Sequence, residues 1–264
     1  MNRIDSTFQA LRENNSKAFV AYVCAGDPNF ETSLEVIKGL ADAGADIIEL
    51  GVPFSDPLAD GIVNQMAADR ALKAGMTTPR VLELVQEFRK THQTPIVLFT
   101  YLNPIYAYGY EKFLTDSSAA GIDGLLLLDL PPDEAKLNEE LSQQSELKNI
   151  TLIAPTSPDD RVEFLASQSE GFIYALSRTG VTGAHGGPSA AVSSTVSRIK
   201  NHTNTPVCVG FGITTPEQAK DVAQNADGVV VGSAIVKQIE LQPDDAVNAV
   251  VSFTQPLIDA TKSA

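Results

Sequence analysis

No apolar run in this 264-residue chain approaches the roughly 18 to 20 residues that a membrane-spanning helix requires. Basic clusters are missing too. The formal net charge is −14, with no interleaving of Lys or Arg with aromatic residues, and this excludes a nucleic-acid surface, because phosphate backbones are bound by grouped cations. Cysteine is scarce: Cys24 and Cys208 both lie in apolar, strand-like runs, the setting of small buried thiols rather than of a disulfide or a metal ligand. The three histidines, His92, His185 and His202, are scattered without ligand spacing, so no metal is expected. The opening "MNRIDSTFQALRENNSKAF" is polar and helix-patterned, not a charged head followed by an apolar stretch, and a reducing, cytoplasmic setting is the expectation.

What is present is a rhythm. Short apolar runs recur with helix-patterned segments between them: Phe19 to Cys24, Ile47 to Leu50, Ile96 to Thr100, Gly124 to Leu128, Ile150 to Ala154, Gly171 to Ala175, Val207 to Gly210 and Gly228 to Val231. Strands apolar on both faces and separated by helices imply a parallel sheet covered on both sides, and eight of them favour closure into a (β/α)8 TIM barrel. An open doubly wound sheet is the alternative. The absence of any linker or break in composition points to one domain over residues 1–264, and 43% hydrophobic residues suffice for its core. The amphipathic segment Ile4 to Arg12 is an additional N-terminal helix, placed to plug the barrel floor.

A weak repeat supports the count: "AGADIIELG", "AGIDGLLLLDLP" and "NADGVVVGSA" each join a helix-ending Gly or Asn, an acid and an apolar strand. Gly or Asn there suits a left-handed cap, so Asp46, Asp123 and Asp227 are expected at the bottom of the barrel in structural roles.

Active sites of such barrels are built on the loops after the strands. Glu49 stands at the end of the second apolar run and Asp60 in the Pro/Gly/Asp-rich loop that follows, "DIIELGVPFSDPLADG". A carboxyl at the end of an apolar strand loses hydration and gains a pKa suited to proton transfer, making Glu49 the acid/base candidate. Its competing reading is a salt-bridged strand end. For Asp60 and Asp56 the competing reading is a turn or cap residue, and Asp56 is the plainer turn acid. Further along, "VGFGITTPEQA" and "VVVGSAIV" put Gly210, Gly212, Gly232 and Ser233 after the seventh and eighth runs with helices following. Backbone N–H groups and helix N-termini at such loops can surround a phosphate without a basic side chain, and this reconciles an acidic protein with an anionic ligand. The stretch "SRTGVTGAHGGPSAA", with Arg178 at its start, Gly180, Gly183, Gly186 and Gly187, has the composition of a closing lid, in which Thr182 and Gly183 could touch the ligand. A loop without such a role is the alternative.

These motifs, with "AGDP" (Ala25 to Pro28), "IELGVPFSDPLADG" (Ile48 to Gly61), "SRTGVTGA" (Ser177 to Ala184), "VGFGI" (Val209 to Ile213) and "GSAIVK" (Gly232 to Lys237), strongly resemble the tryptophan synthase alpha subunit family over nearly the whole chain. The resemblance implies a lyase that cleaves indole-3-glycerol phosphate by a retro-aldol reaction to indole and glyceraldehyde 3-phosphate in tryptophan biosynthesis. It implies no metal or organic cofactor, and a beta subunit as partner in an alpha2-beta2 assembly. Glu49 then matches the acid/base carboxylate and Asp60 the one beside the indole N–H. Gly183, Gly212, Gly232 and Ser233 match the phosphate site, and Tyr22, Phe99, Leu126, Tyr174, Thr182 and Phe211 match the indole pocket. Pro53, Asp56 and the segment around Asn103-Pro104 resemble the partner-contact region. Departures stand at Ile62 and Asn64, where a proline and an apolar residue are common, at "HGGPS" (His185 to Ser189) in the lid, and at Cys24 in place of a hydroxyl. They motivate the alternative of an impaired regulatory subunit that mainly activates its partner. Asn64 is expected to hold the loop rather than to line the pocket.

Overall fold

The computed structural model describes residues 1–130, 145–176, 188–210 and 212–264. Helix α1 (Arg3–Glu13) leads into β1 (Ala18–Cys24), followed by α2 (Phe30–Asp42), β2 (Ile47–Gly51), α3 (Ile62–Lys73), α4 (Thr78–Arg89), β3 (Ile96–Thr100), α5 (Leu102–Tyr108), α6 (Tyr110–Ala120) and β4 (Gly124–Leu127). Then come β5 (Lys148–Asn149), β6 (Thr151–Ile153), α7 (Asp159–Gln168), β7 (Ile173–Leu176), α8 (Pro188–Lys200), β8 (Val207–Gly210), α9 (Pro216–Ala223), β9 (Gly228–Val231), α10 (Ser233–Leu241) and α11 (Ala246–Lys262).

All pairings are parallel, in the order β5-β4-β3-β2-β1-β9-β8-β7-β6. The fifth apolar run is divided. Its first half, β5, bonds β4, and the Ile150 N–H continues that side to the Leu125 carbonyl at 2.9 Å; its second half, β6, pairs with β7. One stave thus serves both edges, and the nine strands form a nearly closed (β/α)8 barrel of eight staves. β1, β2, β8 and β9 are buried along their whole length, the burial that their apolar runs require.

The apolar core falls into two shells. Residues facing the barrel axis, among them Ala18, Val20, Ile47, Val97, Leu126, Phe172, Cys208 and Val230, pack with Ile4, Phe8 and Leu11 of α1. The helix therefore plugs the floor, as its apolar stripe suggests. Ile4 is fully buried, and Gly124 and Gly171 make room for it: a Cβ at either would come within 3.1 Å of its side chain. The outward residues form the larger shell beneath the helices.

The three junction aspartates share one geometry. Asp46 accepts from the Phe19 N–H at 2.7 Å, Asp123 from Ile96 at 2.9 Å and Asp227 from Val207 at 2.8 Å, while each aspartate's own N–H returns a bond to the carbonyl of that same residue. A two-point clamp fixes the start of one strand against its neighbour. Each carboxylate also meets a cation: Lys262 for Asp46, Arg89 and Arg3 for Asp123, Lys200 for Asp227. Gly44 and Gly121 take the left-handed cap, with φ of +98° and +91°, but Asn225 at the third junction does not. There α9 ends at Ala223 with Gln224 as a right-handed cap, and the chain enters the junction without a positive-φ residue.

Candidate active site

Strand alternation decides which side chains reach the mouth. In β2 the inward positions are Ile47, Glu49 and Gly51, so Glu49 projects into the barrel one layer above the plugged floor. Its register partner on β1 is Tyr22, and Phe99 and Leu126 are partners on β3 and β4. Tyr22 meets Phe99 edge-on with ring centroids 5.1 Å apart, while Phe99 and Tyr174 pack against the inner cluster that includes Leu126. Two glycines complete the layer: a Cβ at Gly51 would lie 2.5 Å from the Tyr22 hydroxyl, and one at Gly210 would lie 2.8 Å from that of Tyr174. The structure thereby brings together Glu49, Tyr22, Phe99, Leu126 and Tyr174.

Glu49 is 1% exposed, and its Oε1 is buried without a hydrogen-bond partner among the described residues. Burial pushes its pKa up to about 8, with the charge of Asp60 adding to the rise. No cation is paired with Glu49 among the described residues, so they supply no salt bridge for it. The same burial, first, and the neighbouring acidic groups raise the hydroxyls of Tyr22 and Tyr174 above the ordinary tyrosine range.

Asp60 lies one residue before Gly61, the N-cap of α3, and does not cap that helix. Its Oδ2 accepts from the Tyr101 hydroxyl at 2.7 Å and its Oδ1 from Asn64 Nδ2 at 3.3 Å. Burial raises its pKa, while the bonds from Tyr101 and Asn64 pull it back. Tyr101 also accepts from the Ala59 N–H at 3.0 Å and lies against Phe54 with ring centroids 5.4 Å apart and planes tilted by 40°, tying the acid loop to the segment after β3. Sequence reasoning overlooked Tyr101. A tyrosine just after an apolar run carries no local sign that it will reach an acid 41 positions earlier. Asp56, by contrast, is exposed; its carboxylate accepts from the adjacent Ser55 hydroxyl and its carbonyl from the Leu58 N–H, as a turn acid does.

A second overlooked element braces the loop after β1. Asp27 is fully buried and receives both Nε and Nη2 of Arg70 on α3 at 2.8 Å, a bidentate pair that ties α3 to the "AGDP" turn.

The two anion-loop candidates differ. α9 begins at Pro216, and Thr215 with Gln218 forms a complete capping box, so this helix end satisfies its own N–H groups; Gly212, at φ +76°, is what remains to approach an anion. α10 begins at Ser233 with Gly232 as N-cap and no side-chain cap; the Ile235 N–H turns back to the Gly232 carbonyl at 2.8 Å, which leaves the N–H groups of Ser233 and Ala234 to meet an anion. Arg178, Gly180, Thr182, Gly183, Gly186, Gly187 and Phe211 lie outside the described residues. Of the expected contact region, Asp56 and Asn103 are exposed but Pro53 is buried, a correction: the exposed groups here are Leu58, Ile62, Met66 and Tyr106, at 91%, 69%, 45% and 76%. Among the described residues no helix is long and apolar enough to cross a membrane.

A family model described as tryptophan synthase alpha chain matches residues 8–262. The tryptophan synthase alpha chain of Geobacter sulfurreducens is 51% identical over 240 residues, 91% of each chain, and that of Desulfatibacillum aliphaticivorans is 46% identical over 264 residues, covering 99% of this chain and 100% of the other. Among solved structures, tryptophan synthase subunit alpha from Legionella pneumophila matches with a TM-score of 0.91 at 36% identity over 100% of both chains. A tryptophan synthase chain from M. tuberculosis, in an aminoacrylate-bound form, matches at 0.88 and 34% identity over 99% of this chain and 100% of that one.

Proposed function

The chain belongs to the tryptophan synthase alpha chain family, and from that premise we propose that Glu49 and Asp60 carry its chemistry. The alpha chain is a lyase subunit that cleaves indole-3-glycerol phosphate, in tryptophan biosynthesis, to indole and glyceraldehyde 3-phosphate, and it works with a beta subunit. The impaired, activator-only alternative is not favoured.

The observation that carries the site reading is a buried Glu49 with an unpartnered oxygen and a pKa near neutrality, beside a second acid. At pH 7 Glu49 keeps its proton and can deliver it to ring carbon C3, making the ring an electron sink and leaving positive charge on the ring nitrogen. Asp60, whose charged form the bonds from Tyr101 and Asn64 favour against burial, is the acid to meet that charge. The Glu49 carboxylate then takes the proton of the side-chain hydroxyl next to the scissile bond. The C–C bond breaks, its electron pair returns through C3 to the ring nitrogen, and the oxygen keeps its carbon as the aldehyde. Glu49 ends protonated, as it began.

Tyr22, Phe99, Leu126 and Tyr174, with Thr182 and Phe211, are proposed to line the indole pocket, and the open end of α10 at Gly232 and Ser233, with Gly212 and Gly183, to hold the phosphate. Arg178, Gly180, Gly186 and Gly187 are proposed as lid residues. Leu58, Ile62, Met66 and Tyr106, with Asp56 and Asn103, are proposed as the face toward the beta subunit, because large exposed apolar groups gathered on the loops and helices after β2 and β3 suit a partner. We also propose that residues 1–264 form one domain, since one sheet runs from β1 to β9, and that the protein works in the cytoplasm without a cofactor.

Indole release from indole-3-glycerol phosphate tests the assignment. Glu49→Gln should lower turnover by about 1,000-fold while a substrate analogue still binds, and Asp60→Asn by about 100-fold. Turnover in the Glu49→Gln variant equal to the parent's would remove Glu49 from its role.

A further inference from the structure

The side chain of Asn64 makes a single hydrogen bond among the described residues, from Nδ2 to Asp60 Oδ1 at 3.3 Å, and its own Oδ1 is buried with no partner. The backbone of the loop is held by its neighbour instead: Gln65 Nε2 donates to the Asp60 carbonyl at 2.8 Å. A buried carbonyl left unpaired costs free energy that an apolar side chain here would avoid. What the amide supplies that such a side chain could not is a donor to Asp60.

That donor matters because of what surrounds the acid. The titratable groups facing Asp60 among the described residues are Tyr101, from the segment after β3, Glu49 on β2, and Tyr22 and Cys24 on β1. None of them is a cation. The ionised form therefore depends on neutral donors, and one of its two oxygens is served by Tyr101 and the other by Asn64.

We propose that Asn64 is a positioning residue for Asp60, whose amide N–H fixes the carboxylate in its ionised form and in the orientation that receives the charge developing on the ligand's ring nitrogen. The inference rests on the assignment of Asp60 above. It is separable from a loop-holding role, which belongs to Gln65.

The test is a double-mutant cycle on indole release, with full pH profiles and melting temperatures. Asn64→Leu, of similar volume and without the donor, should lower kcat about five-fold with little change in KM. It should also move the acid limb of kcat up by roughly 0.7 pH unit, the logarithm of that factor, because losing a donor disfavours the charged form. Asn64→Asp keeps the shape but sets a like charge beside Asp60, so its limb should move further up and its kcat fall further; being isosteric, it carries the test if Asn64→Leu does not fold. In an Asp60→Asn background, Asn64→Leu should change kcat by less than about two-fold. Parental kcat and acid limb in both single variants, alongside a crippled Asp60→Asn, would overturn the proposal, and so would a lowered melting temperature with both kinetic readouts unmoved. A fully active Asp60→Asn would instead bring down the Asp60 assignment itself, and the positioning role with it.

Discussion

The barrel carries carboxylates at both ends, and they are treated in opposite ways. At the bottom, Asp46, Asp123 and Asp227 each receive a strand N–H and pair with a cation, so each carboxylate is tied into the joint between neighbouring strands. At the mouth, among the described residues, Glu49 has an oxygen with no partner and Asp60 has the neutral donors Tyr101 and Asn64. One end holds strands together and the other leaves a proton free to move. Position along a strand, rather than residue type, sets which task a carboxylate performs: β2 begins beside Asp46 and carries Glu49 at its middle, one inward layer higher. The barrel separates stability from chemistry by this polarity.

The largest effect that would sharpen the contrast is at the floor. Asp123→Ala strands Arg89, whose side chain is 10% exposed, together with Arg3, and the loss of stability should be about 3–5 kcal/mol in urea unfolding. Cleavage per folded molecule should be unchanged. Reduced turnover at full folding would show that the two ends are coupled. Asp227→Ala removes the same clamp, but its partner Lys200 is a third exposed and can be rehydrated, so about 1–2 kcal/mol is expected by the same measurement.

At the mouth the sign reverses. Glu49→Gln should stabilise the fold at pH 8 by about 1 kcal/mol, because an amide removes the burden of a buried charge while destroying activity. The pH dependence follows from the raised pKa. Below the ordinary value of 4.5 folded and unfolded chains are both protonated at this group. Between 4.5 and about 8 the folded chain holds a proton that the unfolded one has lost, and stability falls as pH rises; above about 8 both are ionised and the dependence ends. Thermal unfolding from pH 5 to 9 should show that decline in the parent and a flatter profile in Glu49→Gln.

Much of this polarity was legible in the residues. Eight apolar runs announced the staves because strands covered on both faces cannot afford polar positions, and the three acids after helix-ending residues marked the floor. Ile4 to Arg12 showed its plug through a 3.6-residue stripe that ends in Ile4, Phe8 and Leu11 against the barrel axis. The division of the fifth stave was not visible, since nothing around Ile150 distinguishes a strand that serves two neighbours from one that serves a single neighbour. Tyr101 and the Asp27–Arg70 pair were missed for the same reason: a hydrogen bond or ion pair across some 40 residues of chain depends on closure of the barrel, and no local spacing encodes it. Asn64 was expected to restrain the loop. The structure gives the backbone bond to Gln65 and turns the Asn64 amide to the carboxylate.

The titration of Glu49 itself tests the central claim most directly. In protein with carboxyl-labelled glutamate, the Glu49 signal, identified by its loss in Glu49→Gln, can be followed by carbon NMR from pH 4 to 10. The midpoint should lie near 8 in the parent and fall in Asp60→Asn, where the neighbouring charge that contributes to the rise is gone. A midpoint in the ordinary glutamate range near 4.5, unmoved by Asp60→Asn, would contradict the account.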